Sequence, residues 1–408
     1  MSIPDTRREG AAHLAARRYP EAERCLRELL AAEPADYHAQ NDLAVALHEQ
    51  GRVDEAVAIL RPVTAERPDF APAQFNLGRA YLERGEFAPA LASFEEVLCR
   101  NPSDADTFAM IGTALERRGE FNEAEEYFAE AARFSPAYAV TEMLRFSSGF
   151  LDEISQAAPP PRPPRPVLDA PSPHGREAVV LVSCDPRYLH KYGEAFLESC
   201  GQAAGPGVLV HVHLLDPDQH ALDAAKTMLE RAGLACHGLS AESNHDFPAG
   251  SAERRIWYTC ARFRHVEGWL AAYRVPIVLL DIDAALQAPI SLLLDAAGGA
   301  DLGLFLRHPR RAPWLDVVAN TLVARPTARA VEYFRLVRSY IDYFIARGRP
   351  RWHLDQCALY CTLRMLQARD GPEVAWITEA ARANVYHVGN QHDSRMADPR
   401  YARFAAHR

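Results

Sequence analysis

Over the first 136 residues, apolar positions recur with the spacing of paired helices, and the pattern repeats every 34 residues. Ala22, Ala56, Ala90 and Ala124 form one ladder, Pro34, Pro68, Pro102 and Pro136 a second, and the bulky series Tyr19, Val53, Phe87 and Phe121 a third. Leu43, Leu77 and Ile111 keep the same period, as do Gly51, Gly85 and Gly119. Each unit predicts a first helix such as 73–84, a turn at Gly85, a second helix such as 88–99, and a proline that ends the unit because it cannot continue a helix. The first unit predicts no convincing first helix: Glu9 stands where later units carry Leu or Ile, and Arg17 where they carry Gly. An amphipathic stretch over 137–154, apolar at Met143, Leu144, Phe146, Phe150 and Leu151, predicts a helix that caps the last face of the stack.

The pattern then changes. Residues 158–175 are proline-rich and carry no hydrophobic periodicity, which predicts an extended spacer at a domain boundary. From Glu177 onward, β-rich runs at 178–182, 208–214 and 276–280 alternate with helical stretches near 190–200, 218–232 and 255–273. Such alternation predicts an α/β domain with a mostly parallel sheet covered by helices on both faces. The expected organisation is an all-α array over 1–155, a linker over 156–176 and an α/β domain over 177–408.

Composition narrows the function. Of 408 residues, 48% are hydrophobic and 24% charged, an ordinary globular mix. A formal charge of -9 gives no bulk attraction to nucleic acid or to an anionic membrane surface. The only lysines, Lys191 and Lys226, do not follow the glycine spacing of a phosphate-cradling loop, which excludes a P-loop NTPase. Eight cysteines without a CxxC or a structural-zinc spacing read as buried thiols in a reducing compartment. No apolar run reaches the ~20 residues of a membrane helix, and the polar first ten residues lack a signal-peptide core, so the expected location is cytoplasmic. The acidity is segregated: residues 1–157 carry -12 and residues 158–408 carry +3. All five Trp and 13 of the 16 His lie in the second half, where the chemistry is concentrated.

The most informative segment there is Val278-Leu279-Leu280-Asp281-Ile282-Asp283. A buried strand runs into two carboxylates at i and i+2, which in extended chain point to one side while Ile282 points to the core. At the carboxyl end of a sheet strand, two hard oxygen ligands suit Mg²⁺ or Mn²⁺ holding a diphosphate. The bland reading of the pair is a cap on the next helix, and for Asp355 it is a helix N-cap.

Two resemblances add to this. The 34-residue array resembles the tetratricopeptide (TPR) repeat over residues 3 to about 136, which implies a concave surface that binds protein or peptide. The run from Tyr258 and Arg262 through Leu270 to Asp281-Ile282-Asp283 and Leu292-Leu293-Leu294 resembles the core of GT-A nucleotide-sugar glycosyltransferases of the glycogenin and lipopolysaccharide-galactosyltransferase type. Cys184-Asp185-Pro186-Arg187-Tyr188, Leu354-Asp355-Gln356 and Tyr386-His387-Val388-Gly389 fall in the order of that family's motifs. The resemblance implies a nucleoside diphosphate sugar donor, with Asp185 and Tyr188 on the base and Asp281, Asp283 and His387 on Mn²⁺ or Mg²⁺. It further implies Arg262 on the diphosphate, and Asp355 and Gln356 beside the sugar. Asn320 stands near the family's sugar-recognition loop, which reads differently here, and the family's late Lys-Pro-Trp is replaced by Asn390-Gln391-His392-Asp393, so His392 competes with His387 as ligand. The family's closest members retain anomeric configuration, whereas an inverting enzyme would use Asp355 as base. A non-catalytic TPR protein with a degenerate second domain is the competing reading.

Overall fold

The computed structural model describes residues 3–156, 164–168, 175–234, 237–306, 317–367, 369–377, 381 and 385–387. It divides into two compact units, Met1–Arg145 and Phe146–Arg408.

The first unit is four helix pairs: α1 (Ile3–Ala15) with α2 (Tyr19–Ala32), α3 (Tyr37–Glu49) with α4 (Val53–Glu66), α5 (Ala71–Glu83) with α6 (Phe87–Arg100), and α7 (Ala105–Arg118) with α8 (Phe121–Phe134). The alanine ladder at 22, 56, 90 and 124 is fully buried, so each second helix packs closely on its neighbours. Gly51, Gly85 and Gly119 turn each pair with φ of 79°, 74° and 83°, the left-handed region that favours glycine. Arg17 adopts φ 56° at the equivalent turn, and the first unit does have its first helix, contrary to the sequence expectation. Gly10 supplies the reason, since it lies against Leu26 of α2 and lets α1 pack despite Glu9.

A second ladder escaped the sequence reading. Positions 10, 44, 78 and 112 are Gly, Ala, Gly and Gly, and positions 26, 60, 94 and 128 are Leu, Leu, Phe and Phe. A Cβ at Gly78 would lie 2.6 Å from Phe94 Cε1, and one at Gly112 2.9 Å from Phe128 Cδ1, whereas at Gly10 the nearest Leu26 atom is 3.4 Å away. Glycine is required where the partner is Phe and optional where it is Leu.

The predicted capping helix over 137–154 is divided. A 3₁₀ segment, Pro136–Met143, closes the array, with Thr141 Oγ1 donating to the Phe128 carbonyl at 2.6 Å. The following helix α9 (Ser148–Ser155) belongs to the second unit, where Phe150 packs edge-on against Tyr340 and Tyr343 at ring separations of 5.3 and 4.9 Å. The non-helical stretch between the two segments, Leu144 through Ser147, breaks the periodicity.

The second unit holds an eight-stranded sheet in the order β1-β4-β3-β2-β5-β8-β7-β9. Its strands are β1 (Arg165–Leu168), β2 (Ala178–Cys184), β3 (Val208–Leu215), β4 (His237–Glu242), β5 (Ile277–Leu280), β7 (Leu302–Leu306), β8 (Val317–Ala324) and β9 (Val374–Ile377); β6 (Ala284–Leu286) pairs separately with β10 (Val385–His387). The linking helices are α10 (Pro186–Ala203), α11 (Gln219–Arg231), α12 (Ala252–Arg264), α13 (Val266–Tyr273), α14 (Ser291–Ala297), α15 (Ala328–Ala346) and α16 (Leu354–Gln367).

The sheet is mixed, which corrects the expected mostly parallel one. β4, β3, β2 and β5 run parallel, but β8 enters antiparallel to both β5 and β7, and β1 is antiparallel to β4. Strands covered on both faces read as continuous apolar runs in either direction, so the hydrophobic pattern carries no sign of their polarity. Within the predicted linker, Arg165–Leu168 is an edge strand, and Pro166 fits there because an edge tolerates a missing donor. The predicted helix 255–273 is two helices joined at His265, whose φ of -116° and ψ of -2° end α12 and begin α13.

Candidate functional site

The carboxyl ends of β2 and β5 lie side by side, with Val182 opposite Leu280, and both strands lead directly into acidic residues. After β2, Asp185 caps α10: its Oδ1 accepts the Tyr188 amide at 2.9 Å, which satisfies one of the helix's unpaired N–H groups. Asp185 is buried and Tyr188 is exposed at the rim. Partial burial of the ring raises the Tyr188 phenol above its ordinary value, and the nearby Tyr192, Asp283 and Asp185 push in the same direction.

After β5 the chain does not stay extended. Leu280 ends the strand, and Asp281, Ile282 and Asp283 form a turn closed by the Ala284 amide donating to the Asp281 carbonyl at 3.0 Å. The expected projection of both carboxylates from an extended strand is therefore replaced by presentation from a turn, with Ile282 buried beneath it as expected. The Asp281 amide donates to the Asn320 carbonyl of β8 at 3.2 Å, so β8 anchors the turn. The Asn320 Oδ1 is buried and has no hydrogen-bond partner among the described residues.

Arg262, in the last turn of α12, is buried and bridges two of the carboxylates. Its Nη1 makes a close ion pair with Asp281, and its Nη2 lies 3.6 Å from Asp355. Its Nε has no hydrogen-bond partner among the described residues. Burial pulls the guanidinium below its ordinary value, opposed chiefly by the charge of Asp355 and also by that of Asp283. Asp355 is buried in the first turn of α16, not ahead of it as an N-cap would be. Burial raises its carboxyl above the usual range, and Arg262 partly offsets this. Gln356 beside it engages His353 Nδ1 through its Oε1 at 2.6 Å, and His353 holds a left-handed φ of 72°.

The β10 backbone pairs antiparallel with β6 and sets His387 opposite Ala284, the neighbour of Asp283. The His387 side chain and the whole of His392 lie outside the described residues. The structure thus gathers Asp185, Tyr188, Arg262, Asp281, Asp283, Asn320 and Asp355 at one edge, from segments far apart in sequence. Tyr258, part of the same helix motif, points elsewhere, and its hydroxyl donates to Asp216 Oδ2 at 3.0 Å, beside Arg254.

Two carboxylates on a turn offer oxygen ligands of the type that hard divalent ions take, and Asn320 Oδ1 and Arg262 Nε are buried polar atoms without a partner among the described residues. The Arg262 guanidinium now supplies the positive charge on Asp281 that such an ion would share.

In the first unit, Leu30, Pro34, Gln40, Leu43, Ile59 and Pro62 line an open, mainly apolar depression. No helix among the described residues is long and apolar enough to cross a membrane.

Comparison with known proteins bears on this first unit. Residues 13–80 and 75–139 each match a family model described as tetratricopeptide repeat. Similar solved structures include "MamA 41-end from Desulfovibrio magneticus RS-1", at 24% identity over 33% of this chain and 76% of that one, with a TM-score of 0.31. "MamA MSR-1 C2" is similar at 28% identity over 33% and 77%, also with a TM-score of 0.31. No curated protein matches the chain. The amino-terminal region of this protein, residues 13–139, is an array of tetratricopeptide repeats.

Proposed function

We propose that residues 177–408 form a GT-A-type glycosyltransferase domain that moves a sugar from a nucleoside diphosphate sugar to an acceptor hydroxyl, and that the TPR array recruits a protein or peptide acceptor. One observation carries the reading: Asp185, Arg262, Asp281 and Asp355, singled out from three separate stretches of sequence, converge at the adjoining carboxyl ends of β2 and β5. That edge is where open α/β sheets bind ligands.

In this reading Asp281 and Asp283, with His387, hold Mn²⁺ or Mg²⁺, whose chemistry is Lewis-acid stabilisation of charge on the departing diphosphate. Arg262 contributes a fixed positive charge to the same oxygens once it is released from Asp281. Asp185 and Tyr188 position the base at the rim. Asp355 and Gln356 orient sugar or acceptor hydroxyls, and Asn320 Oδ1 accepts from one of them. The acidity of the array favours neutral or basic acceptor surfaces.

A second reading is supported by the Arg262–Asp281 pair itself. A guanidinium seated on the metal-binding carboxylate is what a domain that kept the fold and lost the metal would contain. A donor-hydrolysis screen separates the two, because slow hydrolysis of a nucleotide sugar needs no acceptor. Release of sugar from at least one UDP- or GDP-sugar, dependent on Mn²⁺ and abolished in Asp281→Asn, supports the enzyme. Absence of hydrolysis together with absence of nucleotide binding supports the non-catalytic protein.

A further inference from the structure

On the other side of β3 lies a buried polar chain that the proposed transferase chemistry does not use. Tyr273 Oη meets His211 Nδ1 at 2.5 Å, His211 Nε2 meets Ser240 Oγ at 2.7 Å, and Ser240 Oγ meets His213 Nδ1 at 3.0 Å. His213 Nε2 then meets Glu242 Oε1 at 3.3 Å, and His265 Nε2 meets Glu242 Oε2 at 3.0 Å. Side chains at 211 and 213 share a face of β3, and register sets His213 opposite Ser240 of β4. His213 is wholly buried and His265 nearly so, and Trp269 packs on both rings at 5.3 and 5.5 Å.

We propose that His213, Glu242 and His265 bind a divalent ion of the zinc class, with water as fourth ligand. One ligating atom from each residue lies within 4.8 Å of the other two, and both Nε2 atoms converge on the one carboxylate, His213 at 3.3 Å from Oε1 and His265 at 3.0 Å from Oε2; these donor types at this spacing suit an ion with bonds of about 2.0–2.1 Å.

The rest of the chain can serve as the outer shell. With an ion on His213 Nε2, His213 Nδ1–H donates to Ser240 Oγ, Ser240 Oγ–H donates to His211 Nε2, and His211 Nδ1–H donates to Tyr273 Oη. His211, His213 and Ser240 keep their partners, and the Ser240 hydroxyl, able to accept from Nδ1–H, accommodates the tautomer that a metal-bound histidine needs. Without an ion the same chain reverses, Tyr273 donating first and both Glu242 contacts becoming N–H donations. The ion would tie β3 and β4 to the α12–α13 junction, three residues beyond Arg262.

The test uses the full chain, stripped with a chelator and titrated with Co²⁺. The expected result is one equivalent of tetrahedral Co²⁺ with visible d–d bands, partial quenching of the tryptophan fluorescence, and displacement by Zn²⁺. Asp281→Asn leaves these bands intact, which separates this site from the proposed catalytic one. His265→Gln removes them, Ser240→Ala weakens binding about 10–100-fold, and His265→Cys, which keeps a ligand, adds a thiolate charge-transfer band. Absence of tetrahedral bands, bands unchanged in His265→Gln, or bands lost in Asp281→Asn would each overturn the proposal, and the His265→Cys spectrum decides the matter should His265→Gln fail to fold.

Discussion

Replacing Arg262 with Met probes how the candidate site is held together. Arg262 is buried between two carboxylates of unequal exposure: Asp281 is about a third exposed and can be rehydrated, whereas Asp355 is 7% exposed and cannot. Removing the guanidinium leaves Asp355 either charged without a partner or protonated. Breaking a buried pair from one side costs about 3–5 kcal/mol, which sets the plateau of the loss. Below that plateau the loss depends on pH. A carboxyl whose pKa is raised in the folded state holds a proton that the unfolded chain releases above about 3.9, so stability falls as pH rises through the window between the two values. Burial already raises Asp355 in the native protein, and loss of the guanidinium would raise it further. The difference between variant and native protein should therefore be small near the native Asp355 value and grow by about 1.4 kcal/mol per pH unit until it levels off. Urea unfolding followed by tryptophan fluorescence, in EDTA and at a series of pH values, measures this directly. All five Trp lie beyond residue 145, so the signal reports the second unit alone. A loss that is constant with pH, or below about 1 kcal/mol at its largest, would refute the coupling between Arg262 and Asp355.

In the repeat array, Gly78→Ala should destabilise by about 1–3 kcal/mol because its Cβ would overlap Phe94, whereas Gly10→Ala should be neutral or stabilising by up to ~1 kcal/mol through helix propensity. Thermal melts by circular dichroism decide this, and equal effects of the two changes would contradict the Gly–Phe pairing. Asp185→Ala should cost about 1 kcal/mol by removing the α10 cap and should also weaken nucleotide binding, while Asp185→Ser should restore most of the stability without restoring binding. Recovery of both together would assign Asp185 a structural role alone.

What the sequence revealed follows from where the information resides. Repeats announce themselves because every unit must present matching faces to its neighbours, so Ala22 and its equivalents recur at a fixed interval. The Gly–Phe exchange stayed hidden because it is a correlation between two positions rather than a repeated residue. Strands β2, β3 and β5 were legible as apolar runs, but β8, interrupted by Asn320 and Thr321, was not, and with it went the sign of half the sheet. The turn at Asp281 was missed because a two-residue spacing looks alike in a strand and in a turn until the Ala284 amide closes it. His213, Glu242 and His265 carry no motif spacing at all, since strand register and the break at His265 bring them together. A pair of histidines at i and i+2 on an apolar strand, His211 and His213, was the one available signal.

The proposed function requires the edge shared by β2 and β5 to bind a nucleoside diphosphate through a metal ion. Titration calorimetry of UDP and GDP into the chelator-stripped protein, with and without Mn²⁺, tests it most directly. The account predicts binding of one of the two nucleotides that requires Mn²⁺ and is lost in Asp281→Asn and Asp283→Asn, with the fold intact by circular dichroism. Nucleotide binding that survives both substitutions, or no heat with either nucleotide in the presence of Mn²⁺, would contradict it.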